Sequence, residues 1–318
     1  MKQLTIEQTA DYLKNCEDVH ILIHRSPDGD CIGAGYSLQA VFRLLGKRAK
    51  VLCADPIPPR FDYLMPKEPE EDFAPKCIIS TDVSDEKLFG SLEPIYGGKV
   101  ELCIDHHVSN LLYAQNVLLE PNAAAACETL YKVYRAMGIR FTEQIAMCLY
   151  TGIATDTGCF KYSNANADTH MYTSEIMREF PDIRYDLINR EMFTVKSRGA
   201  LQAEMLMLAN MEYHCDGKVT LVWATQDVCL KSGVDPKDME GITSISLQPE
   251  GVEIGLTVRE PEPGLYKVSM RSAKDINVSA LCAQLGGGGH IKAAGCTMTD
   301  CTRDEVRERL LAVVRTAL

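Results

Sequence analysis

The chain reads as an α/β protein: a parallel-sheet domain with flanking helices, followed by a smaller C-terminal α+β domain. Three observations predict this. An apolar run, a helix and a second apolar run form a βαβ unit over residues 20–53. Two further runs, Cys77-Ile78-Ile79 and Val100-Glu101-Leu102-Cys103-Ile104, have the length of buried parallel strands. After residue 210 the pattern changes to strand-like alternation.

Taken in order, Thr5-Ile6-Glu7-Gln8 is a capping-box pattern that opens a helix to about Asn15. His20-Ile21-Leu22-Ile23-His24 follows as a buried strand, with a turn at Pro27-Asp28-Gly29. The spacing of Ile32, Tyr36, Leu38, Val41, Phe42 and Leu45 predicts a helix from Cys31 to Leu45 ended by Gly46, and Lys50 to Cys53 returns as a strand. The Pro-rich stretch from Pro56 to Pro75 is expected to be a surface excursion with little regular structure. Beyond Ile104 the parallel sheet is expected to be complete. Helical patterns follow over Ala123–Met137, closed by Gly138, then Thr142–Ala154, Ala167–Glu179 and about Tyr185–Asn210. Lys218–Trp223, Gly251–Val258 and Tyr266–Met270 read as strands, with helices near Val278–Leu285 and Thr302–Ala317. The expected division is 1–195, a helical linker over 196–212, and 213–318.

The 318 residues are 46% hydrophobic and 24% charged, the usage of a folded globular protein. No apolar run approaches the roughly 20 residues of a membrane span, and Met1 to Glu7 lacks a secretory signal, so a cytoplasmic protein without a membrane partner is expected. The 13 cysteines form no Cys-x-x-Cys pair and read as small buried hydrophobes. With 33 basic against 44 acidic residues the net charge is −11, which argues against a long duplex nucleic acid as partner.

The acids and histidines fall at informative places. The predicted strand ending at Ile23 runs into His24-Arg25-Ser26-Pro27-Asp28-Gly29-Asp30, the one ending at Ile79 into Ser80-Thr81-Asp82, and the one ending at Ile104 into Asp105-His106-His107. In an open parallel sheet these strand ends share one edge, where ligands bind. Asp156, in Thr155-Asp156-Thr157-Gly158, follows an apolar helix and adds a further acid. Five acids and three histidines exceed what a single ion takes. An oxygen and nitrogen donor set without cysteine suits Mn²⁺ best, with Mg²⁺ second, and points to two ions acting in displacement at phosphorus. Each segment alone is ordinarily a solvated turn; the argument rests on their joint occurrence. A second cluster, Leu285-Gly286-Gly287-Gly288-Gly289-His290, lies between Arg271-Ser272 and Lys292, and its bare amides are expected to form an anion site.

These spaced motifs resemble the DHH/DHHA1 phosphoesterase family, specifically its short members of the nanoRNase and pAp phosphatase type. His24, Asp28 and Asp30 match the first motif, Asp82 the second, Asp105-His106-His107 the third and Asp156 the fourth. Arg271-Ser272 and Gly287-Gly288-Gly289-His290 match the signature of the smaller domain, and the stretch through Ser109-Asn110 to Pro121-Asn122-Ala123 also resembles these members. The resemblance implies one Mn²⁺ on His24, Asp28 and Asp82 and another on Asp30, Asp82, His106 and Asp156, with a hydroxide between them as nucleophile. It implies that Asp105 orients a ligand and that His107 faces the substrate phosphate. It places the active site in a cleft between domains, with Arg271, Ser272, Gly287, Gly288, Gly289, His290 and Asn110 at the substrate. The expected activity is hydrolysis of short 5′-phosphorylated oligonucleotides to mononucleotides, with pAp dephosphorylation as a further reaction. A cyclic dinucleotide phosphodiesterase is the nearest rival, and a metal-dependent nucleotide-binding regulatory protein the reading of another class. A homodimer through the first domain is compatible with the resemblance, although no sequence pattern specifies it.

Overall fold

The computed structural model describes residues 1–67, 72–234 and 245–318. Part of the Pro56–Pro75 stretch therefore lies outside the described residues. The chain divides into two compact units, Met1–Val195 and Lys196–Leu318.

In chain order the first unit contains β1 (Lys2–Gln3), α1 (Ile6–Asn15), β2 (Val19–Leu22), α2 (Gly29–Leu44) and β3 (Ala49–Leu52). Next come a 3₁₀ segment Pro59–Leu64, β4 (Cys77–Thr81), a second 3₁₀ segment Glu86–Leu92, α3 (Glu93–Tyr96), β5 (Leu102–Asp105) and β6 (Asn116–Leu119). Helices α4 (Ala126–Met137), α5 (Glu143–Asp156), α6 (Ala167–Glu179) and α7 (Tyr185–Phe193) complete it. The six strands lie in the order β1-β6-β5-β4-β2-β3, every pair parallel. From β2 the chain moves outward to β3 and then crosses back to β4 on the other side. The strand order thus reverses between β2 and β4, and a crevice opens at such a point beyond the strand C-termini.

Local chemistry sets the element ends. Thr5 caps α1 with a complete capping box shared with Gln8. Helix α2 starts two residues earlier than the apolar spacing suggests, because Asp28 caps it, its carboxylate accepting from the amides of Asp30 and Cys31. Thirteen of its sixteen residues are buried, so it runs through the core rather than along the surface. The strand β2 stops at Leu22 and leaves His24 in the loop. Gly138, in the left-handed region at φ 73°, closes α4 as expected.

Three expectations need correction. The sheet does not end at β5: β6, only four residues long, joins its far side and pairs in turn with the two-residue β1. The Pro-rich stretch is not all surface, since Phe61 and Leu64 in the first 3₁₀ segment are buried in the core. The long helical segment after Tyr185 is broken at 194–197, and Ser197 caps a new helix.

The second unit contains α8 (Arg198–Ala209), β7 (Glu212–His214), β8 (Val219–Ala224), α9 (Gln226–Ser232), β9 (Ile254–Glu262) and β10 (Leu265–Ser272). It closes with α10 (Val278–Ala283), β11 (Gly288–His290), β12 (Ala293–Met298) and α11 (Arg303–Val314). Its sheet has the order β11-β12-β10-β9-β8-β7, antiparallel apart from the β8 and β9 pair. Within the segment expected as a linker, Ala203 and Met207 of α8 are buried against Val222, Ala224 and Val228. Among the described residues no helix is long and apolar enough to cross a membrane.

Candidate metal centre

The loops leaving β2, β4 and β5 and the end of α5 bring His24, Asp28, Asp30, Asp82, Asp105, His106, His107 and Asp156 together. Their donor atoms fall into overlapping groups, each with all atoms within 4.8 Å: His24, Asp28, Cys31 and Asp82; Asp82, Asp105, His106 and His107; and Asp30, His106 and Asp156.

Both inner histidines are aimed by the backbone. His24 donates Nδ1–H to the carbonyl of Arg25 at 2.8 Å, leaving Nε2 3.8 Å from Asp28 and 3.7 Å from Asp82. His106 donates Nδ1–H to the carbonyl of Ala123 at 3.2 Å, leaving Nε2 3.8, 3.5 and 3.6 Å from Asp30, Asp82 and Asp156. Fixing one ring nitrogen in this way presents the other as a ligand. Asp82 stands between the two rings in a left-handed conformation, φ 58°, the kind of strain that collects at functional sites.

Asp30 is buried, and its carboxylate accepts from the amides of Ala126 at 2.6 Å and Cys127 at 3.0 Å, the first turn of α4. Asp105 is fully buried as well. Its Oδ1 accepts from the amides of His106 and His107 and from His107 Nδ1–H at 2.8 Å, and its Oδ2 accepts from Asn110 at 2.5 Å. Asn110, expected at the substrate, is engaged with this carboxylate. It is buried, and its amide is turned inward to hold Asp105 while its oxygen accepts from the amide of Leu112.

Helices α2 and α5, which carry Asp28, Asp30 and Asp156 at their site ends, pack closely enough that glycine is required. A Cβ on Gly152 would stand 2.2 Å from Cys127 Sγ and 2.7 Å from Asp30 Oδ1, and one on Gly33 would stand 2.5 Å from the carbonyl of Cys148.

The electrostatics demand cations. Burial, then Asp82 and Asp156, drives Asp30 well above the ordinary carboxylate range. Asp156 is raised to about 7, by burial first and then by Asp82 and Asp28 in spite of His106. Burial lowers the affinity of His106 for a proton, but Asp82, Asp30 and Asp156 outweigh it and raise the ring to about 10. His24 is likewise raised, its burial outweighed by Asp28 and Asp82. Burial acts to raise Asp82, but His106 and His24 outweigh it and hold it below its ordinary value. Protons thus occupy the place of positive charge. Asp82 Oδ1 and His106 Nε2, at the middle of the cluster, are buried with no hydrogen-bond partner. Donors 3.5–3.8 Å apart are too far for a hydrogen bond but close to the spacing of two ligands sharing one ion at about 2.0–2.2 Å. The residues present fit divalent metal ions. Cys31 is the member that sequence reasoning missed; it is buried, and nothing in its spacing distinguished it from the other cysteines.

In the second unit, Arg271 and Ser272 end β10, and Gly288, Gly289 and His290 form β11, the two strands flanking β12. Ala293 of β12 is opposite Arg271 on one side and His290 on the other, so these three residues lie abreast across the sheet. Within the glycine run, Gly288–His290 forms an exposed edge strand paired with β12 on one side. A Cβ on Gly287 would meet the carbonyl of Gly295 at 2.1 Å, so this close approach of backbones accounts for the glycine there. Ser272 is engaged locally, its amide with the carbonyl of Lys292 and its hydroxyl with that of Lys274.

Comparison with known proteins agrees with this arrangement. Residues 18–153 match the DHH family, N-terminal domain, and residues 218–318 the DHHA1 domain. The chain is similar to the bifunctional oligoribonuclease and PAP phosphatase NrnA of Thermus thermophilus, 29% identical over 97% of this chain and 93% of that one. It is also similar to the protein of the same name from Mycoplasma pneumoniae, 24% identical over 95% and 94%. An exopolyphosphatase-related protein from Bacteroides fragilis shares the fold, with a TM-score of 0.88 at 23% identity over 98% and 95% of the two chains. With matches to both domains in the expected order, the chain belongs to the DHH/DHHA1 family of phosphoester hydrolases.

Proposed function

We propose that the protein hydrolyses short 5′-phosphorylated oligonucleotides, such as linear dinucleotides, to mononucleotides, and converts pAp to AMP, using two Mn²⁺ ions. The observation that carries this reading is the buried cluster in which Asp82 Oδ1 and His106 Nε2 lack partners among carboxylates that only cations can reconcile. The relatives named as oligoribonuclease and PAP phosphatase support the substrate class.

In this reading His24, Asp28 and Asp82 hold one ion, and Asp30, Asp82, His106 and Asp156 the other, with Asp82 shared. Such ions would supply Lewis-acid stabilisation of the phosphoryl oxygens and a lowered pKa for the attacking water. The chain supplies the rest. Asp105 accepts a hydrogen bond from His107 Nδ1–H, which fixes the ring and leaves Nε2 free of that contact. Burial disfavours the charged His107 ring, but Asp105 and Asp82 outweigh it and raise its affinity for a proton, which suits a ring that meets developing phosphoryl charge. Arg271 and His290, on the two strands that flank Ala293 in the second unit, are assigned to a non-reacting phosphate, with Ser272 and Gly287–Gly289 assigned to the same surface.

The test is product release by the purified protein with Mn²⁺ or EDTA, with pApA, pAp, cyclic di-AMP, a long single strand and pyrophosphate compared in parallel. Mn²⁺-dependent conversion of pApA to AMP, with pAp dephosphorylation beside it, is the expected result. Preference for the cyclic dinucleotide would transfer the protein to signalling-nucleotide turnover. Mn²⁺ binding without hydrolysis of any substrate would make it a nucleotide-binding regulator. Arg271→Ala is expected to raise KM with little change in kcat.

A further inference from the structure

Three of the cluster's supports converge on one short piece of backbone. The carbonyl of Ala123 fixes His106, and the amides of Ala126 and Cys127 hold Asp30. The segment carries only alanines up to Cys127, so no side chain of residues 123–126 can tie it down.

Two polar side chains from outside it do so. Glu128, 2% exposed, accepts from the amide of Ala124 at 3.3 Å and from the hydroxyl of Thr169 on α6 at 2.8 Å. Asn164 donates its amide to the carbonyl of Ala124 at 3.0 Å and to the carbonyl of Asp156 at 3.1 Å. Its side-chain oxygen is buried without a partner. Turning the amide over would aim that oxygen at two carbonyls, so the arrangement has one sense only. A continuous path therefore runs from α6 through Glu128, Ala124 and Asn164 to the backbone of Asp156, and along the segment it reaches His106 and Asp30.

We propose that Glu128 and Asn164 are positioning residues that set the Ala123–Cys127 segment and so hold His106, Asp30 and Asp156 at the separation that binds metal. Neither side chain is assigned as a ligand. Both act through backbone groups, as outer partners of metal ligands do when they fix ligand orientation. The inference rests on the reading that the cluster binds divalent ions.

The experiment measures Mn²⁺ binding to the full chain by calorimetry without substrate, alongside steady-state kinetics and melting in EDTA. Glu128→Ala and Asn164→Ala are expected to weaken Mn²⁺ binding by about 10–100-fold, the usual effect of losing an outer partner. KM at saturating Mn²⁺ should stay within about twofold, since neither residue is placed at substrate. Glu128→Gln keeps an acceptor and is expected to restore binding. Asn164→Asp, the same shape with its donors replaced by acceptors facing two carbonyls, should bind as weakly as Asn164→Ala or more weakly. If Glu128→Ala fails to fold, the isosteric Asn164→Asp and Glu128→Gln pair decides the matter. Unchanged Mn²⁺ affinity in Asn164→Asp, or equal weakening by Glu128→Gln and Glu128→Ala, overturns the proposal. Absence of Mn²⁺ binding by the unaltered protein would overturn the metal reading itself.

Discussion

Replacing Asp82 with Asn tests the shared position of this carboxylate. One oxygen faces His24 at 3.7 Å and the other faces His106 at 3.5 Å, whereas Asp156 groups with His106 and Asp30. Asn has the same shape but no charge, so Asp82→Asn should remove both ions and Asp156→Asn one. An ion present at about 100 times its dissociation constant stabilises the fold that binds it by about 2.7 kcal/mol. For a unit the size of Met1–Val195, each kcal/mol moves the melting temperature by about 2–4 °C. Mn²⁺ should thus raise melting by about 11–22 °C in the unaltered protein and about 5–11 °C in Asp156→Asn. In Asp82→Asn the gain should be near zero. The assay is thermal melting of each variant in Mn²⁺ against the same variant in EDTA, so that any change in the metal-free fold cancels. A full Mn²⁺ gain in Asp82→Asn would refute the shared-ligand reasoning, and equal losses in the two variants would refute the separation into two sites.

Three further outcomes are expected. Asp105→Asn sets an amide among donors that now share a carboxylate; urea unfolding should show a loss of about 1–3 kcal/mol, and kcat should fall with little change in KM as His107 loses its orientation. Gly152→Ala drives a methyl into Cys127 and Asp30, so it should cost about 1–3 kcal/mol in the same unfolding assay and weaken Mn²⁺ binding. The third concerns pH in EDTA. Asp156 is raised from 3.8 to about 7, so the folded chain holds a proton the unfolded chain has released, and stability falls as pH rises across that range. His106, raised from 6.5 to about 10, contributes stability that is full below 6.5 and lost as pH rises toward 10. Both act in one direction, so melting in EDTA should decline from pH 5 to pH 9. Mn²⁺, which competes with those protons, should flatten the decline. A rise in EDTA across that window would contradict the charge assignment.

The strand-end acids were legible because a parallel sheet gathers its C-terminal loops whatever the loops contain. Knowing that Ile23, Ile79 and Ile104 close apolar runs was enough to bring Asp28, Asp82 and Asp105 to one edge. Helix α6 matches its sequence bounds because Asn166 caps it with a full capping box and Ala167 opens it. The strand β6 was not legible, since four residues give too little periodicity to separate a strand from a loop. Residues 123–126 were opaque for a different reason: their contribution is made by amides and carbonyls that every residue carries. The bond from Asn110 to Asp105 was not legible because an amide beside a histidine pair suits a substrate and a buried carboxylate equally. The strand at Gly288–His290 was not legible because glycine disfavours strands on its own account, while the close approach of β12 requires it there.

The contacts of Asp30 also bear on how the chain is made. Its carboxylate is satisfied by amides 96 and 97 residues further on. At synthesis rates of about 5–20 residues per second, roughly 5–20 s pass between the appearance of Asp30 and that of its partners. Throughout that interval the carboxylate must remain in water, so α2 cannot settle into its final buried place. Closure of the first unit therefore waits for the start of α4, and the nascent chain carries exposed acid, ready to meet a dissolved cation, before it has a core to enclose one.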